Sequence, residues 1–264
     1  MFVFRLFLPL IMKNKIFLRA RVVATLAFFF IVSSSFGQNI KVAAAANLQG
    51  IIKVLAADFT KKTGIGVDPI IGASGNLVAQ IRNGAPFDVF LSADMSFPQT
   101  LYNENLTTGV PVVYASGSLI ICSTKNQSFD GWERALLTPA VKKVVIANPK
   151  IAPYGLAAEE SLEKKGVWSE IQSKLVYGES ISQVNTYITT GAVDVGFTTQ
   201  SLVKDLEGKT RLYFKIIDPK TYSPIEQGIV ILKHAEGNAN AQKFYQYILS
   251  ADAKKVFREY GYIE

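Results

Sequence analysis

The sequence predicts an α/β protein with two lobes, each built on a mainly parallel sheet flanked by helices. Short apolar runs alternate with segments of helical periodicity, first over residues 40–91 and again over residues 144–198. Alternating strands and helices form parallel sheets with right-handed crossovers. Because the alternation occurs twice within 264 residues, we expect two α/β lobes that face each other across a hinged ligand cleft.

The first set of elements contains three strands and two helices in alternation. The strands are predicted at residues 40–45, 67–71 and 89–91, from their short apolar runs. The helices are predicted at residues 48–62 and around 77–81, from apolar residues at helical spacing, and Gly64 ends the first of them.

The second set repeats this order, and a last group returns to the first lobe. Strands are predicted at residues 144–147, 175–177, 193–198 and 228–232, and helices around 156–165 and 183–190 and as a pair within 239–260. The lobes are joined by extended segments near 112–119 and 214–225. We therefore assign residues 38–117 with 225–264 to lobe I and residues 118–224 to lobe II.

The net charge of +7 is concentrated at the N-terminus. Residues 1–37 hold five basic residues and no acidic one, followed by an apolar run over residues 22–32 and small residues up to Gly37. This pattern is typical of a signal peptide, so we expect export to the periplasm and cleavage near Gly37–Gln38. Met12 is an alternative start, and a membrane anchor formed by residues 2–12 and 22–32 is the alternative interpretation. The rest of the chain, residues 38–264, is nearly neutral, so its charge gives no reason to expect nucleic acid as a partner.

Few residues are available for enzymatic chemistry. The chain has one His, His234, and one Cys, Cys122, which lies in an apolar run that predicts a buried strand. A secreted Ser hydrolase with Ser74 as nucleophile is the alternative from another class, and His234 would have to be its base. No metal-ligand spacing, Walker motif or nucleophile elbow occurs in the sequence. We therefore predict a binding protein, neither an enzyme nor the sensing module of a regulator, with no cofactor and no metal cation.

Polar and small residues follow the predicted strands where helices begin. Asn47 is predicted to cap the first helix, Ser74 starts the next one, and Tyr154 and Ile181 open the two helices of the second lobe. Carboxyl ends of parallel strands form the ligand edge of an open sheet. A helix N-terminus presents unpaired N–H groups and a partial positive charge. Four such ends predict an anion site that needs no cationic side chain.

Four segments then resemble one family. They are residues 42–48 (VAAAANL), 72–77 (GASGNL), 84–94 (GAPFDVFLSAD) and 153–155 (PYG), and residues 257–261 (FREYG) close the match. Their order is similar to that of the molybdate-binding proteins of molybdate ABC transporters, over essentially all of residues 38–264. The resemblance implies a type II periplasmic-binding-protein fold that closes over a tetrahedral oxyanion, molybdate or tungstate. It also implies a transporter permease and ATPase as partners, contact with a membrane only through them, and a monomer.

Carried over by position, the family's ligand residues fall on Asn47, Ser74, Tyr154 and Ile181, with Ala46 contributing its backbone N–H. Asn47 replaces the family's first-loop Ser. Thr199 stands where many members have a Tyr, so we expect Tyr154 to supply the phenolic donor instead.

The chemistry of the predicted loops bears on selectivity. Molybdate and tungstate are unprotonated dianions at neutral pH and only accept hydrogen bonds, which suits a site made of donors. Phosphate keeps a proton and benefits from an acceptor, and Glu179 is the nearest acid to these loops. The resemblance therefore favours molybdate and tungstate over sulfate, and the chemistry disfavours phosphate. Sulfate, which differs from molybdate mainly in size, remains the alternative oxyanion.

Overall fold

A computed structural model of the chain describes residues 39–263, and the predicted signal peptide lies outside the described residues. The strands are β1 (Ile40–Ala45), β2 (Val67–Gly72), β3 (Val89–Leu91), β4 (Val112–Gly117), β5 (Leu119–Ser123), β6 (Val144–Ala147), β7 (Leu175–Gly178), β8 (Val195–Thr199), β9 (Tyr213–Ile216) and β10 (Ile225–Ile231). The α-helices are α1 (Ile51–Thr63), α2 (Ser74–Arg82), α3 (Ser96–Asn103), α4 (Trp132–Leu137), α5 (Pro153–Lys164), α6 (Trp168–Ile171), α7 (Ile181–Thr189), α8 (Ser201–Asp205), α9 (Ala239–Ile248) and α10 (Ala251–Glu259). Across residues 39–263, none of the helices has the length and apolar character that crossing a membrane requires.

The strands form two five-stranded sheets with matching topology. The first has the order β2-β1-β3-β10-β4 and the second the order β7-β6-β8-β5-β9. In each sheet the first three strands are parallel, and one strand, β10 or β5, runs antiparallel to both of its neighbours. The predicted α/β fold with two sheets is confirmed, and each sheet is mixed because its reversed strand follows a chain segment that crosses from the other sheet.

The two sheets take their strands from different parts of the chain. The first sheet takes its strands from residues 40–117 and 225–231, and the second from residues 119–216. Helices α9 and α10 pack with α1 on the first sheet, so the C-terminal segment returns to it. We therefore keep the terms lobe I and lobe II for residues 38–117 with 225–264 and for residues 118–224.

Helices cover both faces of the first sheet. Val42 and Ala44 of β1 pack in the cluster formed with α1, α9 and α10, whereas Ala43 packs in the cluster formed with α2 and α3. Successive residues of a strand point to opposite faces. Strands of a sheet that is buried on both faces are apolar at successive positions, which explains the apolar residues 42–45 of β1. The Phe59 and Phe244 rings meet edge to face, with centroids 5.2 Å apart.

Lobe II has one core around its sheet. The Trp132 and Phe197 rings meet edge to face there, with centroids 5.4 Å apart. Cys122 is fully buried in β5, and burial raises the pKa of its thiol well above the ordinary value. A protonated, buried thiol is unreactive, so Cys122 contributes to packing.

Asp194, just before β8, holds the start of β6 in place. Its carboxylate accepts the backbone N–H groups of Lys142 and Lys143 at 2.8 and 2.9 Å and pairs with the Lys125 ammonium. Burial raises the pKa of this carboxyl, but these three hydrogen bonds outweigh burial and hold the pKa below its ordinary value. The ionised form is thus favoured in the folded state.

We predict that Asp194→Asn lowers the free energy of unfolding by about 1.5–3 kcal/mol at pH 7, the range for hydrogen bonds to a charged group. Because the folded pKa is depressed, this stabilisation is present above the unfolded pKa, about 3.9, and is lost as pH falls through the folded value. Urea unfolding at pH 7 and pH 3 measures the difference. Asp252→Asn, which removes an exposed ion-pair partner of Lys62, is the control and should cost less than about 1 kcal/mol. An Asp194→Asn effect of equal size at both pH values would contradict the prediction.

Candidate functional site

A small cavity lies where the strand ends of the two lobes meet. Its walls come from the segments after β1, β2 and β3 of lobe I and after β6 and β7 of lobe II. The lining residues are Ala45, Ala46, Asn47, Ala73, Ser74, Ala93, Ala152, Pro153, Tyr154 and Ile181. All five residues predicted to bind the ligand, Ala46, Asn47, Ser74, Tyr154 and Ile181, therefore lie together around one cavity.

Asn47 does not cap the first helix, and that prediction is wrong. The chain forms a 3-10 turn at Ala46–Leu48, and α1 begins only at Ile51 with Gly50 in the capping position. The Asn47 amide is instead buried, and its Nδ2 donates to Gln227 Oε1 at 2.9 Å and to the Tyr262 hydroxyl at 3.0 Å. Among the described residues, Asn47 Oδ1 is the one buried side-chain polar atom with no hydrogen-bond partner.

Ser74 is the first residue of α2, as the sequence predicts. Its hydroxyl is buried, and Oγ accepts the backbone N–H of Ala93 at 3.0 Å. This bond uses one acceptor site of the oxygen and leaves the hydroxyl proton available as a donor. The Ser74 N–H stands in the first helical turn and so has no acceptor within the helix. Ser74 thus offers two donors at one wall of the cavity.

Tyr154 opens α5 behind Pro153, and its hydroxyl reaches the boundary between the lobes. The hydroxyl oxygen lies 3.2 Å from Thr199 Oγ1 and 3.2 Å from Gln227 Nε2. Gly117 makes this approach possible, because a Cβ there would stand 1.9 Å from the hydroxyl. Burial raises the pKa of Tyr154 well above the ordinary value, so the phenol keeps its proton. The contact places the Tyr154 hydroxyl directly beside Thr199.

Ile181 is the first residue of α7, which Ser180 caps by accepting the N–H of Gln183. The Ile181 side chain is buried against the cavity, and its N–H lies in the first turn without an intrahelical acceptor. The N-termini of α2, α5 and α7 thus reach the same cavity, where their partial positive charges favour an anion.

The cavity is lined by uncharged side chains. Within the described part of the chain, no Asp, Glu, Lys or Arg lines the cavity. Glu179, the nearest acid expected from the sequence, is exposed. The cavity therefore presents neutral side chains, backbone N–H groups and helix ends.

The hydrolase alternative fails on geometry. His234 is exposed on a 3-10 turn after β10. Because β10 runs antiparallel to β3, with Ile231 beside Val89, this turn lies at the opposite edge of the sheet from Ser74. The imidazole therefore cannot take a proton from Ser74.

The two lobes are in contact around the cavity. The Gly75 N–H donates to the carbonyl of Ile151 at 3.0 Å, and the Ser201 hydroxyl donates to the carbonyl of Asn47 at 3.0 Å. Each bond joins the strand-end segments of one lobe to the other. The cleft is therefore closed in this structure.

Sequence reasoning missed the polar shell behind Asn47 and Tyr154. Gln227 is fully buried in β10, and Tyr114 and Tyr262 are buried beside it. A Gln within the apolar stretch of residues 225–231 was the available signal, since a buried amide requires partners. The two tyrosines, from β4 and from the C-terminus, offered no comparable signal.

The fold and the site define a solute-binding protein, a binding protein and not an enzyme. Residues 40–263 match the family model described as bacterial extracellular solute-binding protein. The chain is 36% identical to the molybdate-binding protein ModA of Azotobacter vinelandii over 244 residues, covering 92% of this chain and 97% of that protein. It is 38% identical to the ModA of Rhodobacter capsulatus, covering 84% and 86% of the two chains.

A solved structure agrees with these relatives. That of the Azotobacter vinelandii periplasmic molybdate-binding protein superimposes with a TM-score of 0.80 at 33% identity, covering 86% of this chain and 99% of that one. The likeness confirms the periplasmic-binding-protein fold that the sequence resemblance implied. The chain belongs to the bacterial extracellular solute-binding protein family, in the group of the ModA proteins.

The junction between β6 and α5 generates a prediction. A Cβ at Gly155 would stand 2.2 Å from the carbonyl oxygen of Ala147, a backbone atom that cannot turn aside. We expect Gly155→Ala to lower the free energy of unfolding by about 1–3 kcal/mol, the cost of overpacking. Gly109→Ala is the control, because a Cβ there meets nothing within 4 Å. Equal urea midpoints for the two variants would show that the junction between β6 and α5 has space for a Cβ at Gly155.

Proposed function

We propose that the protein captures molybdate, and also tungstate, in the cavity between its lobes and delivers it to an ABC importer. The observation that carries the proposal is the cavity itself, which is walled by neutral donors and three helix N-termini without a charged side chain. The names of the relatives that share 36% and 38% identity support the choice of ligand.

The donor set fits an unprotonated dianion. We propose that the side chains of Asn47, Ser74 and Tyr154 bind the oxyanion together with backbone N–H groups of Ala46, Ser74 and Ile181. Hydrogen bonds to an ionised acceptor are roughly twice as strong as neutral ones. Several of them offset the cost of removing the dianion from water, and helix N-termini add to the attraction.

We extend the proposal to the protein's setting. Residues 1–37 act as a signal peptide that is cleaved near Gly37–Gln38, so the mature protein works in the periplasm as a monomer without a cofactor. The closed, ligand-bound form is the one that the permease and ATPase of the importer receive. Closure of two lobes over a ligand is a common form of hinge motion.

We predict that calorimetry on residues 38–264 shows tight binding of molybdate and tungstate, weaker binding of sulfate and little binding of phosphate. Phosphate carries a proton at neutral pH and finds no charged acceptor among the lining residues. Tighter binding of sulfate would make the protein a sulfate carrier, and tighter binding of phosphate would overturn the proposed specificity.

Removing one donor tests the site directly. Ser74→Ala is expected to weaken molybdate binding by about 10- to 100-fold, the worth of one hydrogen bond to a charged group. Ser161→Ala is the matched control, because Ser161 is equally buried but bonds to Thr221 in lobe II, away from the cavity. Calorimetry should show unchanged affinity for the control. Equal affinities of Ser74→Ala and the unmodified protein would remove Ser74 from the site.

Closure of the lobes gives a further prediction. A Cβ at Gly75 would stand 3.0 Å from Ile151 Cα across the cleft, so Gly75→Ala should hinder closure. Affinity for molybdate should fall by about threefold or more, corresponding to roughly 0.7 kcal/mol, while the urea midpoint of the ligand-free protein stays within error. A large loss of stability with unchanged affinity would show instead that Gly75 matters to folding and not to closure.

A further inference from the structure

We infer that Gln227, on β10, is a positioning residue that decides which atom of the Asn47 amide faces the bound oxyanion. The inference rests on the proposed function and concerns a residue outside the predicted ligand set. It starts from the unpartnered Asn47 Oδ1, an acceptor at a cavity that is proposed to hold an anion.

In the present arrangement the atom of Asn47 that has no partner is an acceptor, which does not suit an anion. Gln227 Oε1 accepts from Asn47 Nδ2 at 2.9 Å and from the Tyr114 hydroxyl at 2.7 Å. The second Asn47 N–H donates to the Tyr262 hydroxyl at 3.0 Å. Both Asn47 donors are therefore occupied, and the remaining atom, Oδ1, repels a ligand that only accepts hydrogen bonds.

Turning two amides by half a turn reverses this without any change of packing, because amide oxygen and nitrogen have nearly the same shape. Gln227 Nε2 then donates to Asn47 Oδ1 and to the Tyr114 hydroxyl, which itself donates to the carbonyl of Ser92, 3.1 Å away. Asn47 Oδ1 also accepts from the Tyr262 hydroxyl, whose proton turns away from the Asn47 backbone carbonyl, 3.0 Å from it. That carbonyl keeps the Ser201 hydroxyl as its donor. Every atom in this part of the network has a partner, and Asn47 Nδ2 is free to donate into the cavity.

The same turn links Asn47 to Tyr154. In the present arrangement Gln227 Nε2 donates to the Tyr154 hydroxyl at 3.2 Å, which leaves the phenolic proton free. In the turned arrangement Gln227 Oε1 lies there instead and accepts that proton, while Thr199 Oγ1 still donates to the phenol oxygen. Gln227 thus allows the cavity either an Asn47 acceptor with a free Tyr154 proton, or an Asn47 donor with the Tyr154 proton held by Gln227. In this second arrangement the side-chain donors of the proposed site reduce to Asn47 and Ser74.

The position of Gln227 suits this role. It is fully buried and sits at a register shift between Gln227 and Gly228 in the pairing of β10 with β4. Bulges of this kind re-aim a side chain, often beside a functional site. An oxyanion selects the turned arrangement because only that one gives it the Asn47 N–H.

A double-mutant cycle tests the inference. Gln227→Met removes both amide atoms at similar length, and Asn47→Ser replaces the amide by a hydroxyl, which rotates freely and needs no positioning. In the otherwise unmodified protein, Gln227→Met is expected to weaken molybdate binding by at least about tenfold. In the Asn47→Ser background the same substitution should change affinity by less than about twofold. Equal losses in the two backgrounds would overturn the inference.

Two further measurements separate positioning from structure. Tyr114→Phe removes a different partner of Gln227 and should lower the thermal midpoint without a comparable loss of affinity. Side-chain amide NMR of the full mature protein should show the Asn47 N–H₂ resonances shifting on addition of molybdate, with loss of that shift in Gln227→Met. An unshifted Asn47 amide on saturation would overturn the inference.

The cycle also distinguishes the two proposals. It is read with whichever of molybdate, tungstate, sulfate and phosphate the unmodified protein binds most tightly. If the protein does not bind molybdate, the proposed function is wrong. The cycle, measured with another of the four ions, then still tests whether Gln227 positions Asn47. Absence of binding of all four ions overturns both.

Discussion

Polar groups at the ends of five strands are buried between two lobes, and burial obliges each of them to find a partner. Much of the local structure follows from this requirement. Ser74 Oγ is held by the Ala93 N–H, and the Tyr154 oxygen by Thr199 and Gln227. Asn47 Oδ1 alone among the buried side-chain polar atoms of residues 39–263 is left without a partner, and it lies at the cavity.

Small side chains let these polar groups come together. Four alanines after the strands of both lobes line the cavity, and Gly117 leaves space for the Tyr154 hydroxyl. Larger residues would hold the helix N-termini away from the centre and weaken the field that they supply there. Binding an anion with helix ends also explains why residues 38–264, which are nearly neutral in net charge, suit such a ligand.

Sequence patterns predicted the long elements well and the short ones poorly. The apolar alternation of residues 40–91 gave three strands and two helices close to their observed bounds. Helices α4, α6 and α8 have six residues or fewer, too few turns for a periodic pattern to develop. The cap assigned to Asn47 was wrong because a 3-10 turn separates β1 from α1, and an Asn near a helix start is ordinarily a cap.

The sequence by itself determined the α/β class, the strand-end position of the site and five of the residues that line the cavity, because each of these depends on local pattern or on motif order. Only the tertiary structure decided which buried residues form hydrogen bonds with them. Gln227 and Tyr262 reach Asn47 across 180 and 215 positions of sequence, and no local pattern carries such a contact. The direction of each hydrogen bond in that shell depends on all its members at once, so it emerges only when the lobes are packed together.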